Sequence, residues 1–195
     1  MKLQEREYFN NNYDSDFLNQ YSFNYIGLNM KPDGIKHKPF FVDQRVRRAM
    51  AYMTPVDEII EVMAHGKAGR QASNISALKK TNNDTLEHIP QDIEKAKELL
   101  TEAGWVDTDG DNIRDKIIDG VKTPFRFKLN YMSSPITKEI VLMIKESMYK
   151  AGIVADPNGM DFSLFYKKNQ FKYFFINYQC MSSVMTALET TNYIK

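Results

Sequence analysis

The chain has 195 residues, of which 43% are hydrophobic and 26% charged, as in an ordinary globular domain with a buried core. Its 26 lysines and arginines are balanced by 25 aspartates and glutamates, which excludes the strongly basic surface typical of proteins that bind nucleic acids. Because Cys180 is the single cysteine, an intrachain disulfide is also excluded.

The chain begins with a polar segment, a strand and two helices. Residues 1–20 are rich in Asn, Asp and Glu and read either as a loosely ordered lead-in or as a first helix. Aromatic and β-branched residues cluster at 21–29, before a Pro-Asp-Gly turn at 32–34, and this pattern predicts a strand. Apolar residues at helical spacing predict the first of the two helices, namely Val46, Ala49, Met50 and Met53. Thr54 and Pro55 predict the start of the second, with Thr54 as the capping residue.

A long irregular stretch separates these helices from the next one. Residues 67–90 show no persistent period and are dominated by Ser, Asn and Thr, and such a stretch inside a domain is usually functional or mobile. Asp92 is then expected to cap a helix that Gly104 ends in the left-handed conformation. Trp105 is expected to pack back on Leu100, as in a Schellman ending.

The second half of the chain alternates strands and helices. Residues 125–131 alternate strictly between apolar and polar side chains, which predicts a half-buried strand. Ser134 and Pro135 open a long helix, and Gly152 ends it. The pattern is completed by a strand at 153–155, a helix at 162–169 and a strand at 173–178. This order predicts an α/β fold with a mixed sheet flanked by helices.

The strongest chemical pattern is an acidic loop with the sequence DTDGDN. Asp107, Asp109 and Asp111 stand at alternate positions, as in EF-hand loops that present oxygen ligands to calcium. The match is incomplete, because Asn112 stands where glycine is expected and Ile118 where a glutamate is expected. Asp, Gly and Asn are also common in tight turns. Two interpretations therefore stay open, a calcium site at Asp107, Asp109 and Asp111 and a plain surface turn.

The sequence contains no recognisable catalytic motif. His37, His65 and His88 are far apart, and none has a second metal ligand at a diagnostic spacing. There is no GxSxG, P-loop, GxGxxG or HExxH motif. Cys180 has no local partner that would activate its thiol. We therefore predict that the chain is not an enzyme.

Four sequence motifs follow one another along the chain. They are YIGLN at 25–29, DQRVRRAMAY at 43–52, DEII at 57–60 followed by Gly66, and EKAKELL at 94–100 followed by AGW at 103–105. In this order they resemble the bacterial extracellular solute-binding proteins of family 5, the oligopeptide-, dipeptide- and nickel-binding type. Two departures are the TPV run at 54–56 and a tail after Tyr178 without the usual Trp- and Gly-containing segment.

The resemblance implies one lobe of a periplasmic-binding-protein-like type II fold. That lobe covers residues 21–178, with 1–20 as a lead-in segment and 179–195 as a tail or a truncated return to a missing lobe. Family members are much longer, so the chain corresponds to the middle lobe of an exported parent, which we expect to be a lipoprotein. No apolar stretch in the chain could serve as a signal peptide, so the periplasmic or cell-surface location is implied by the resemblance alone.

The resemblance also implies a function in transport. In the family the ligand lies between two lobes that close by hinge motion. This chain would supply one wall of the cleft for a peptide or another small solute, and the full-length parent would deliver the solute to the membrane subunits of an ABC importer. No cofactor and no nucleic acid is implied, and calcium enters only with the alternative, a calcium-dependent extracellular interaction module. The ligand-binding residues expected from their positions are Asn29, Gln71, Ser73, Asn74, Asn177 and Tyr178.

Overall fold

The computed structural model of the chain describes residues 23–30, 38–73, 75–76, 78–170 and 176–181. The helices and strands in these ranges are β1 (Phe23–Leu28), α1 (Gln44–Met53), α2 (Val56–Ala64), α3 (Ile93–Glu102), β2 (Asp115–Ile118), β3 (Val121–Pro124), β4 (Arg126–Met132), α4 (Pro135–Lys150), β5 (Val154–Met160), α5 (Phe162–Gln170) and β6 (Ile176–Met181). The predicted lead-in at 1–20, the turn at 32–34 and the tail beyond Met181 lie outside the described residues. Among the described helices, none is both long enough and apolar enough to cross a membrane.

Four of the strands form one mixed sheet in the order β1-β6-β4-β5. β6, β4 and β5 run parallel to one another, and β1 lies antiparallel beside β6. β2 and β3 form a separate antiparallel hairpin. The predicted α/β class with a mixed sheet flanked by helices is thereby confirmed.

The crossover connections place helices on both faces of the sheet. The chain passes from β4 through α4 to β5 in one direction, and from β5 through α5 to β6 in the other. Because such crossovers are almost always right-handed, opposite directions put α4 and α5 on opposite faces. Burial agrees with this arrangement, since Ile140 and Ile144 of α4 belong to the main core, whereas Phe165 of α5 is buried outside it.

The main core is formed by α1, α3, α4 and one face of β4. The β4 segment contributes Phe125, Phe127, Leu129 and Tyr131, which are all buried, as the alternation predicts. An aromatic cluster closes the core at the start of β4, where the ring centroids of Trp105 and Phe125 are 4.3 Å apart and those of Phe40 and Phe125 are 5.0 Å apart. Each such pair adds about 0.5–1.5 kcal/mol beyond the burial of its area.

The predicted Schellman endings terminate α3 and α4. Gly104 has a φ of 82°, and the amide of Trp105 donates to the carbonyl of Leu100 at 2.9 Å. Gly152 has the same φ and ends α4 in the same way. Asp92 caps the start of α3, as predicted, by accepting a hydrogen bond of 2.8 Å from a first-turn amide. These helix ends follow from local chemistry, which is why the sequence predicts them correctly.

The predicted cap at Thr54 is wrong. Thr54 lies at the end of α1, and its hydroxyl donates to the carbonyl of Met50 at 2.8 Å. Pro55 stands at the start of α2 instead and makes no side-chain capping bond. The hydroxyl of Thr54 donates to α1 rather than capping α2, because the last carbonyls of a helix have no hydrogen-bond donor within that helix.

Tyr131 and Gly159 lie opposite each other in the register of β4 and β5. The ring of Tyr131 covers the glycine, and a Cβ at position 159 would lie 2.9 Å from its Cζ and Oη atoms. Since Tyr131 is only 6% exposed, its ring cannot move aside without opening the core. This strand pairing therefore requires glycine at 159.

We expect Gly159→Ala to lower the free energy of unfolding by about 1–3 kcal/mol, because the added methyl group overpacks the contact with Tyr131. Gly69→Ala is the matched control, since no atom of the described residues lies within 4 Å of a Cβ built there. Urea denaturation of both variants measures the difference. Equal effects of the two substitutions would contradict the close packing of Tyr131 on Gly159.

Candidate functional site

The strands β4, β5 and β6 end at one edge of the sheet, which we call the carboxyl edge, at Met132, Met160 and Met181. β5 and β6 lie on opposite sides of β4, so the direction of the chain across the sheet reverses at this point. Open α/β sheets bind ligands in the crevice outside the carboxyl ends of the strands at such a switch point. The topology therefore selects the carboxyl edge as the candidate site.

Two helices begin at the carboxyl edge. Ser134 caps α4 and Asp161 caps α5, each by accepting a hydrogen bond from a first-turn amide, at 3.1 and 2.9 Å. The amide of Ser133 donates to the carbonyl of Met160 at 2.9 Å and holds the two turns together. The positive ends of both helix dipoles thus lie at this edge.

Apolar side chains are exposed at the same edge. Met132 is 37% exposed, Ile136 62% and Phe162 65%. Small-molecule sites combine apolar walls with a few placed polar groups. The carboxyl edge offers both.

Three of the predicted ligand-binding residues belong to β1 and β6 or follow them. Asn177 is paired with Gly27 of β1 and with Asn130 of β4, and Tyr178 follows it within β6. Asn29 follows the last residue of β1 at the opposite, amino edge, because β1 runs antiparallel to β6. The sheet brings Asn177 and Tyr178 within a few residues of the carboxyl edge but not Asn29, and a ligand contact of each remains a prediction.

The loop that holds the other predicted residues uses their side chains internally. The amide of Gln71 and the hydroxyl of Ser73 both donate to the carbonyl of Ile75, at 2.9 and 3.3 Å. Asn74 lies outside the described residues. The described contacts of Gln71 and Ser73 therefore stabilise the loop, and a role in ligand binding remains a prediction for all three.

An amide pair that the sequence analysis does not single out joins β4 and β5. Nδ2 of Asn158 donates to Oδ1 of Asn130 at 2.6 Å, and Asn130 is only 5% exposed. Asn177 and Gly27 occupy the same level on β6 and β1. The alternation at 125–131 places Asn130 on the polar face of its strand, but its partner can be found only from the register.

The acidic loop brings three carboxylates together, with one correction to the prediction. Oxygen atoms of Asp107, Asp109 and Asp115 lie within 4.8 Å of one another. Among the described residues Asp111 does not complete this group, and its Oδ1 accepts a backbone amide two residues further on at 2.8 Å. Asn112 has a φ of 65°, the left-handed conformation expected of glycine at this position.

Lys122 supplies the positive charge of this cluster. Its Nζ lies 2.5 Å from Oδ2 of Asp109 and 3.4 Å from Oδ2 of Asp115. The hydrogen bond from Lys122 lowers the pKa of the Asp109 carboxyl, and the same bond raises the pKa of Lys122. Burial raises the pKa of Asp115, but hydrogen bonds from Thr108 and Lys122 outweigh it and leave that pKa below its ordinary value. An internal ammonium group therefore pairs with two of the three carboxylates, and calcium binding by this loop remains a prediction.

A second concave region lies at the amino edge of the sheet. A depression of about 670 Å³ is lined by the ends of α3 and α4 and by the acidic loop, with Asp107, Arg114 and Gly152 among its residues. Nε and Nη1 of Arg114 already donate to the carbonyls of Ala151 and Trp105, at 2.9 and 2.6 Å. Arg114 is thus committed to the fold, and the strand order favours the carboxyl edge, which is therefore the better candidate.

Comparison with known protein families gives a match along nearly the whole chain. The family model described as "Bacterial extracellular solute-binding proteins, family 5 Middle" matches residues 2–192. The oligopeptide-binding protein AppA of Bacillus subtilis (strain 168) is 32% identical over 141 residues, which are 68% of this chain and 23% of that protein. The chain therefore spans about a quarter of the length of the curated relatives it matches.

Solved structures share the fold. The structure of Bacillus subtilis AppA in complex with a nonapeptide matches with a TM-score of 0.72 and 26% identity, over 84% of this chain and 31% of that one. The oligopeptide-binding protein of Thermus thermophilus, complexed with a pentapeptide, matches with a TM-score of 0.75 and 17% identity, over 83% of this chain and 28% of that one. At that identity the second match speaks for the fold alone.

Lys122→Met is expected to lower the free energy of unfolding at pH 7 and to weaken its dependence on acid. A carboxyl with a depressed folded-state pKa stabilises the fold above its unfolded value of about 3.9, and this contribution is lost as the pH falls through the folded-state value. Removing the lysine removes part of that depression at Asp109 and Asp115. Urea denaturation at pH 7 and at about pH 3 measures both effects.

The control for this variant is Lys138→Met, at an exposed lysine outside the ion pairs of the described residues. It should leave both the stability and its pH dependence unchanged. If Lys122→Met lowered the free energy of unfolding equally at both pH values, the interaction of Lys122 with the carboxylates would not explain the loss of stability.

Proposed function

We propose a function that follows from family membership, because this chain belongs to the bacterial extracellular solute-binding proteins of family 5. In this proposal the described residues form one lobe of such a protein, and the carboxyl edge forms one wall of the cleft that holds the solute. The observation that carries it is the reversal of the strand order at β4, because open α/β sheets bind ligands outside the carboxyl ends of the strands at such a point.

A peptide is the solute class that we propose. Two relatives of the same fold hold a nonapeptide and a pentapeptide in their structures. A peptide backbone needs hydrogen-bond donors, and its side chains need apolar surface. The carboxyl edge supplies the first at the starts of α4 and α5 and the second at Ile136 and Phe162.

The path of the chain supports a second lobe facing the carboxyl edge. β1 begins and β6 ends at this edge, where Phe23 and Met181 are paired. The sequence continues before the first of these residues and after the second. Two adjacent connections at one edge suit a hinge about which two lobes could close on a ligand.

The proposed role of the whole protein is binding and delivery. As a family member the protein would bind its solute outside the cytoplasm, at the cell surface or in the periplasm, and deliver it to the membrane subunits of an ABC importer. We do not propose the calcium-dependent interaction module, because the comparisons favour solute binding and Lys122 already pairs with two carboxylates of the acidic loop.

The full chain is expected to bind a short peptide such as tetra-alanine weakly but saturably, with a Kd of about 10⁻⁴ M or weaker. The affinity should be low because one wall of a cleft makes only part of the contacts while ordering costs remain. Saturation-transfer NMR measures such binding, and free alanine at the same concentration serves as the control ligand.

Two results would contradict the proposed function. The first is that the chain shows no saturable binding at peptide concentrations up to about 10 mM. A Kd above this concentration corresponds to a binding free energy of less than roughly 3 kcal/mol. The other is equal binding of free alanine, which would show that the chain does not recognise a peptide backbone.

A further inference from the structure

We propose that Phe162, Tyr166 and Ile136 form an apolar wall that favours peptides with a large apolar side chain, and that the hydroxyl of Tyr131 binds the peptide backbone beside it. The inference rests on the proposed function and deepens it. It names a class of peptide and the residues that select it.

The wall is assembled from the ends of two neighbouring strands. Phe162 follows the last residue of β5 by two positions, and Ile136 follows the last residue of β4 by four. The two strand ends are held together by the hydrogen bond of 2.9 Å from the amide of Ser133 to the carbonyl of Met160. Ile136 and Phe162 therefore both lie near the carboxyl edge, at the starts of the helices on the two faces of the sheet.

The aromatic part of the wall is a pair of stacked rings. The rings of Phe162 and Tyr166 are stacked, with centroids 6.0 Å apart and an angle of 19° between the ring planes. Phe162 is 65% exposed and Tyr166 49% exposed. Rigid aromatic side chains lose little conformational entropy when they bind, so a preformed pair of this kind suits recognition.

Tyr131, in the second-last position of β4, provides the polar group of this proposal. It is 6% exposed, its ring covers Gly159, and its hydroxyl makes no hydrogen bond to any residue of the described part of the chain. Buried hydroxyls in proteins normally have a partner. Gly159 lies one residue before the end of β5, so a peptide carbonyl or amide at the carboxyl edge would be within reach of this hydroxyl.

The exposed area of the wall is comparable to that of one or two peptide side chains. A large apolar side chain exposes about 150–250 Å² when fully open. At the exposures of Phe162, Tyr166 and Ile136, the wall offers roughly 300 Å². The wall therefore matches one or two side chains of a bound peptide.

The test compares two peptides on the full chain by saturation-transfer NMR, namely tetra-alanine and the same peptide with one alanine replaced by phenylalanine. The wild-type chain should bind the phenylalanine peptide about tenfold more tightly, as expected for an aromatic group entering an apolar site. Phe162→Ala should remove most of this preference, because it should weaken the binding of the phenylalanine peptide much more than that of tetra-alanine. Ile136→Ala should reduce the preference in the same direction.

Two further variants separate the wall from its polar neighbour. Tyr131→Phe keeps the ring over Gly159 but removes the hydroxyl, so it should weaken both peptides by the same factor, about fivefold. Tyr149→Ala is the matched control, because Tyr149 is an exposed aromatic residue at the far end of α4, 56% exposed. It should change neither affinity.

The outcomes distinguish this inference from the proposed function. If the wild-type chain bound both peptides equally, or if Phe162→Ala and Tyr149→Ala behaved alike, the apolar wall would be refuted while peptide binding stood. If Tyr131→Phe left both affinities unchanged, the role of the hydroxyl would be refuted. If the wild-type chain bound neither peptide, the proposed function itself would fail and this inference with it.

Discussion

One guanidinium group fixes the amino edge of the sheet, and the position of the candidate site depends on it. Arg114 donates from Nε to the carbonyl of Ala151 and from Nη1 to the carbonyl of Trp105, at 2.9 and 2.6 Å. Its backbone donates to the carbonyl of Gly152 at 2.8 Å and accepts from the amide of Phe125 at 2.7 Å. The carboxyl ends of helices carry partial negative charge, so one cation stabilises the ends of both α3 and α4. Arg114 therefore serves the fold at this edge, and the opposite edge is where the strand ends and the helix starts can contact a ligand.

The sequence predicts the elements of this fold well and their pairing poorly, for a physical reason. The capping of α3 by Asp92 and its end at Gly104 depend on neighbouring residues alone, and both predictions are confirmed. The β2–β3 hairpin is missing from the sequence analysis, although Asp119 and Gly120 are a typical two-residue turn and both have positive φ. Strand order and register depend on contacts between distant residues, so no local pattern reveals the reversal at β4.

The same limit applies to the candidate site. The sequence predicts that Asp107 and Asp109 lie close together, because they share one loop. It predicts Asp111 as the third carboxylate of the cluster, whereas in the structure the third is Asp115 of β2. Lys122, the cation that pairs with Asp109 and Asp115, comes from β3, so this contact can be predicted only once the hairpin is known. Tyr131 is correctly predicted to be buried. Its position over Gly159 depends on the strand register, so the sequence does not show that its hydroxyl lacks a partner among the described residues. Nothing in the sequence marks an exposed apolar residue such as Phe162 as a candidate site residue. Only the topology shows that it lies at the carboxyl edge.

The most direct test of the account is a map of backbone amide shifts during titration of the full chain with tetra-alanine. We expect the largest changes at the carboxyl edge, at residues 132–136 and 159–166. Changes centred on Asn29, which follows the end of β1 at the opposite edge, would move the binding surface there and contradict the proposed site. So would changes spread evenly over the chain, which indicate nonspecific contact.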